Sequence, residues 1–185
     1  MKRIIVILFV LLIFIPASSA GNVTIKGINF EIPDQFDHGT QKDTSYVYQS
    51  GFKFRILALD SYKNLRFNYG SDMEGAKSYE QTSIAGHDAV VIHNEYKSSP
   101  YTTVYFATAD KIFLVCFNDT YVNSEITDMI SKTPLQNSSS STFYGALDEA
   151  LADYQVQLEQ EKRDYDSYQS SKSNQPTNRF FFFRF

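Results

Sequence analysis

Residues 84–117 read IAGHDAVVIHNEYKSSPYTTVYFATADKIFLVCF, and this stretch decides the fold. It divides into three runs rich in Val, Ile, Tyr, Phe and Thr: Ala89 to Tyr96, Tyr101 to Thr108 and Lys111 to Asn118. Lys97-Ser98-Ser99-Pro100 and a tight Ala109-Asp110 turn separate them, so the pattern predicts a three-stranded β-meander. A meander needs a cover, and the remaining chain must supply it.

Upstream, Val23 to Ile32 alternates apolar and polar residues, but the phase flips at Lys26-Gly27. A two-residue turn with glycine second explains the flip as a small hairpin, since glycine accepts positive φ. Tyr46 to Gln49 and Phe52 to Leu59 form the next strand pair around Ser50-Gly51. There Phe52, Phe54 and Ile56 share one face and Lys53 and Arg55 the other, the signature of a sheet with one buried and one wet side. Asp60 to Gly70 is ambiguous. Ser71 to Gln81 reads as a short helix, because Ser71 and Glu74 stand three apart as in a capping box, with Met73, Ala76 and Tyr79 facing the sheet.

Downstream, Val122, Ile126, Met129 and Ile130 recur at helical spacing before Pro134. Beyond a Ser-rich linker, Leu147, Leu151, Tyr154, Leu158, Tyr165 and Tyr168 form a heptad stripe in which Glu161 fills one seam position. Such a helix either pairs with a partner, folds back on its own domain, or stands alone in solvent. The chain closes with Arg179, Phe180, Phe181, Phe182, Phe183, Arg184 and Phe185, an apolar β-prone run flanked by arginines and too short to span a membrane. The expected class is α+β: an antiparallel sheet of about six or seven strands with helices packed on it, plus a long C-terminal helix. The expected division is 1–20 leader, 21–133 α+β domain, 134–142 linker, 143–170 amphipathic helix and 171–185 polar tail with the Phe-rich segment.

The leader reading rests on Lys2 and Arg3, an unbroken apolar run from Ile4 to Ile15, Pro16, and small residues at Ser18-Ser19-Ala20. This is the pattern of a secretory signal, with the mature chain expected from Gly21 and no stable transmembrane anchor afterwards. The alternative is an uncleaved anchor. The net charge of -4 would become -6 on losing the leader's two bases, which disfavours nucleic acid and anionic lipid as partners. Cys116 is the only cysteine, so no intramolecular disulfide is possible, and its place in a meander strand predicts a buried thiol.

If His87 joins the strand that carries His93, their even spacing puts both on one face with Glu95 next along, and these three are the candidates for a metal-dependent binder or enzyme. The spacing is wide for ligands of one ion, and the competing reading is two histidines on the wet face of the sheet. No nucleophile elbow or phosphate loop occurs, so no catalytic residue and no cofactor is expected. Asn22, Asn118 and Asn137 each begin an N-x-S/T acceptor pattern for glycosylation.

The order hairpin, sheet, helix, meander, helix resembles the Mog1/PsbP-like α/β/α sandwich family. The residues that carry the resemblance are Phe30-Glu31-Ile32-Pro33 with Phe36, then Ile84-Ala85-Gly86-His87-Asp88-Ala89, then Tyr105-Phe106 through Val115. They span 22–133, and the C-terminal helix and Phe-rich end depart from the pattern. The resemblance implies a module that works by protein contacts. The expected function is therefore an exported, non-enzymatic binding or assembly module at the cell surface or envelope. Its candidate partner-binding residues are Leu151, Tyr154, Leu158, Tyr165, Phe180 to Phe183 and Phe185, for a protein partner or self-association.

Overall fold

The computed structural model describes residues 21–49, 51 and 53–173, with side chains to Ser170. Residues 1–20, read as a leader, and the Phe-rich end, including Phe180, Phe181, Phe182, Phe183 and Phe185, lie outside the described residues.

The fold is α+β. A two-stranded hairpin of β1 (Gly21–Ile25) and β2 (Ile28–Ile32) turns at Lys26 and Gly27, both left-handed with φ of 50° and 81°, as the phase flip requires. A short 3-10 turn (Asp34–Phe36) leads to β3 (Thr40–Lys42), β4 (Ser45–Tyr48) and β5 (Phe54–Ala58). Helix α1 (Tyr62–Glu74) precedes β6 (Ser78–Ile84), β7 (His87–Tyr96), β8 (Ser99–Thr108) and β9 (Lys111–Phe117). Helices α2 (Ser124–Ser131) and α3 (Ser140–Ser173) follow. The meander stands as expected, extended by β6 at its edge. All pairings in the seven-stranded sheet are antiparallel, in the order β3-β4-β5-β9-β8-β7-β6.

Register explains why both faces are apolar. The row Val91, Val104, Val115, Ile56 and Tyr46 crosses five strands on one face, where the β1–β2 hairpin and α2 cover it with Phe30, Ile32, Ile126 and Met129. One residue along, Val90, Tyr105 and Leu114 line the other face beneath α1 and α3, in contact with Leu65, Tyr69, Phe143 and Leu147. The result is three layers: hairpin with α2, sheet, and the α1–α3 pair.

Three expectations change. The face of β5 carrying Arg55 is not wet; Arg55 and Leu57 are half-buried because the helical layer extends over that side. The helix expected over Ser71 to Gln81 ends at Glu74, and Ser71 lies in its last turn. The helix starts within the ambiguous stretch, where the Ser61 hydroxyl accepts the Asn64 amide. Residues 78–84 form an edge strand that leaves Tyr79 exposed. The stretch 134–142 is not a free linker either. Gln136 bridges to Ala109, donates to and accepts from Asp88, and α3 begins inside the stretch at Ser140.

Candidate functional site

The candidate surface is α3, 34 residues and about 51 Å long at the usual helical rise. Its first turns belong to the core: Phe143, Leu147 and Ala150 are buried against the sheet. Burial of Phe143 and Leu147 stabilises this attachment by roughly 1.5–3 kcal/mol each. The next turns lie along α1. Tyr154 packs on Gly70, where an added Cβ would stand 2.1 Å from the ring's Cγ. The Tyr154 hydroxyl donates to Glu74 at 2.9 Å, and the Tyr62 hydroxyl to Asp153 at 2.6 Å. Accepting that proton's hydrogen bond, Asp153 pushes the Tyr62 phenol up to about 12. Leu151, Tyr154 and Leu158 border a cavity of about 300 Å³ between α1 and α3.

After Leu158 the helix turns no further side chain inward. Every residue from Glu159 to Ser170 is exposed, Tyr165 at 61% and Tyr168 at 55%. The heptad stripe thus has two fates: Leu147 to Leu158 folds back on the chain's own domain, while Tyr165 and Tyr168 face solvent. Within the exposed half, Gln157 donates to Glu161 and Gln160 to Asp164, while Glu159 and Arg163 approach to 3.6 Å. Such i,i+4 pairs contribute a few tenths of a kcal/mol each and keep a lone helix wound beyond its anchor.

The structure does not bring the histidine candidates together. His87 is fully buried rather than on a wet face. Its Nδ1 lies 2.8 Å from the Ala107 carbonyl oxygen, so Nδ1 carries the donated proton, and its ring packs edge-on to Phe106. His93 stands six residues further along β7, about 20 Å at the usual rise, with Nδ1 3.1 Å from the Thr102 hydroxyl. Glu95 faces Lys77 at 3.8 Å. Among the described residues no group of three or more His, Cys, Asp or Glu is arranged to hold a metal ion. Asn22, Asn118 and Asn137 are all exposed.

A buried polar cluster between α1 and the sheet was not legible beforehand. The Tyr105 hydroxyl donates to Asp72 Oδ2 at 2.7 Å, and the Asn94 amide nitrogen donates to the Asp72 carbonyl at 3.1 Å. Arg55, Thr103 and Cys116 complete it, and Arg55 Nε, Asn94 Oδ1 and Thr103 Oγ1 are buried without a hydrogen-bond partner. Burial holds the Asp72 carboxyl above its usual range, against the opposing pull of the Tyr105 hydrogen bond and the Arg55 charge. Burial likewise pushes the Cys116 thiol up and, with Asp72 alongside, the Tyr105 phenol well up. These surroundings keep thiol and phenol protonated, which suits a structural polar centre rather than an activated nucleophile. The alternation around Arg55 fixes only which face it occupies; that α1 covers this face is a tertiary fact.

No family model, curated protein or solved structure matches this chain.

Proposed function

We propose that this protein is an exported, non-enzymatic binding or assembly module that acts by protein contacts at the cell surface or envelope. It docks through the half of α3 beyond Leu158 and the Phe-rich end. The observation that carries the reading is that α3 continues beyond Leu158 with every side chain from Glu159 to Ser170 exposed, Tyr165 at 61% on the same stripe that anchors the helix inside. A helix that needed only to complete the core would stop near Leu158. Leu158, Glu161, Tyr165 and Tyr168 recur at the three- and four-residue steps by which helices lie in grooves. From Glu159 to Ser170 four carboxylates face two bases, so the partner offers an apolar groove with a basic rim. The leader pattern and the resemblance to Mog1/PsbP-like domains support export and action by contact.

The test compares the full chain, a chain ending at Leu158, and a Tyr165→Ser/Tyr168→Ser double variant. Light scattering gives the mass of each, and capture from envelope fractions gives the partner. The full chain should hold a specific protein that both altered chains bind at least tenfold more weakly, as expected when aromatic anchors are removed. Equal mass and equal capture by all three would refute the reading.

A further inference from the structure

The β7–β8 hairpin turns on Lys97 and Ser98, both with left-handed φ of 49° and 64°, which pairs Tyr96 with Ser99; Pro100 and Tyr101 then lead into Thr102, which pairs with Phe117 of β9, itself paired with Phe54 at the start of β5. A cavity of about 300 Å³ opens there, lined by Lys53, Tyr96, Lys97, Pro100, Tyr101 and Asn118. That volume lies at the lower end of small-molecule sites. Its lining is mostly apolar and aromatic, and the charged side chains in it, Lys53 and Lys97, are both positive. Elsewhere in this chain of net charge -4, Lys26, Lys77, Lys111 and Lys132 each face a carboxylate. Lys97 instead lies 5.3 Å from the centre of the Tyr96 ring.

We propose that this cavity binds a small amphipathic carboxylate with a flat apolar body. The body packs on Tyr96, Pro100 and Tyr101, the ammonium groups of Lys53 and Lys97 take the carboxylate, and the Asn118 amide is a further donor. The site is independent of α3 and needs no protein partner. Asn118 also heads an N-x-T acceptor pattern, so a glycan there would occupy the cavity's mouth.

The experiment uses the full chain produced without N-glycosylation. Phenylacetate, indole-3-acetate and benzoate are titrated by calorimetry, each beside its uncharged amide. At least one acid should saturate with a Kd of about 1 mM or tighter. Its amide, and a Lys53→Gln/Lys97→Gln variant, should bind at least tenfold more weakly. Lys77→Gln/Lys132→Gln, with the same change in net charge, should bind as the unaltered chain does. Both lysines of the cavity are exposed, so the double variant should keep its melting temperature. The proposal is overturned if no acid saturates, if the amide binds as well as its acid, or if the cavity variant retains affinity.

Discussion

Gly70→Ala tests the crossing on which the placement of α3 depends. In an exposed helix interior this substitution is stabilising by about 1 kcal/mol, because alanine is the better helix former. Here Gly70 is buried, and the new Cβ would lie 2.1 Å from Tyr154 Cγ and 2.5 Å from its Cβ and Cδ1. Carbon atoms rest at about 3.5–4.0 Å, so the helices must separate locally by roughly 1.5 Å. Tyr154 Cβ is fixed to the backbone, and a χ1 change that moved Cγ and Cδ1 away would give up the hydroxyl's hydrogen bond to Glu74. Overpacking of this kind costs about 1–3 kcal/mol. Set against the propensity gain, the expected outcome is a net loss of about 1 kcal/mol, or about 2–4 °C in melting temperature for a chain of this size. Urea unfolding followed by circular dichroism measures the midpoint, and hydrogen exchange reads the amides of Phe143 to Leu158, which should lose protection. In a Tyr154→Ala background two of the three close atoms are gone and only Cβ remains, so Gly70→Ala should cost less there. A rise in stability of about 1 kcal/mol with unchanged protection of α3 would show that the helices do not meet at Gly70.

Four further outcomes follow from the buried groups and caps. Tyr105→Phe removes the hydroxyl that serves the Asp72 carboxylate, and urea unfolding at neutral pH should record a loss of about 1–3 kcal/mol. Burial raises the folded pKa of Asp72, so between the unfolded value of 3.8 and that raised value the folded chain binds more protons and stability falls as pH rises. Asp72→Asn removes this dependence, and its stability relative to the unaltered chain should climb with pH through that window and then level off. Cys116 is 2% exposed with its thiol pushed up by burial, so a disulfide reagent should label it only in urea; rapid labelling of the folded chain would contradict its placement. Asn123→Ala deletes the side chain that accepts the Ile126 amide at 3.0 Å, and thermal unfolding should register a cost of about 1 kcal/mol.

The parts of the fold legible in the sequence are those whose pattern is local. The meander and the β1–β2 hairpin declare themselves because their turns and their alternation lie in adjacent residues. Helix α2 does so through Ile126, Met129 and Ile130 at helical spacing. Helix α1 hides for three physical reasons. Phe67 faces solvent at 64% exposure, a glycine occupies its buried stripe, and an ionisable Asp72 lies inside where an apolar residue is expected. The last two belong to contacts with other elements: Gly70 to Tyr154, and Asp72 to Tyr105. The Ser71–Glu74 pair mimics a helix start while standing at a helix end. For α3 the stripe gives the face but not its division, since Leu151 and Tyr165 read alike until α1 is in place beneath only the first of them.

The two faces of the sheet are covered at different times as the chain emerges. The β1–β2 hairpin precedes the sheet and α2 follows β9 directly, so that face closes early. The opposite face, with Val90, Ile92, Tyr105 and Leu114, waits for Phe143, Leu147 and Ala150. At ordinary synthesis rates the chain between Phe117 and Ala150 takes roughly 2–7 s to appear, and for that interval an apolar sheet surface stands partly open beside α1 alone. The long helix is therefore first the closing piece of the core. A chain interrupted before Ala150 would be a candidate for chaperone capture or proteolysis whatever its distal half does afterwards.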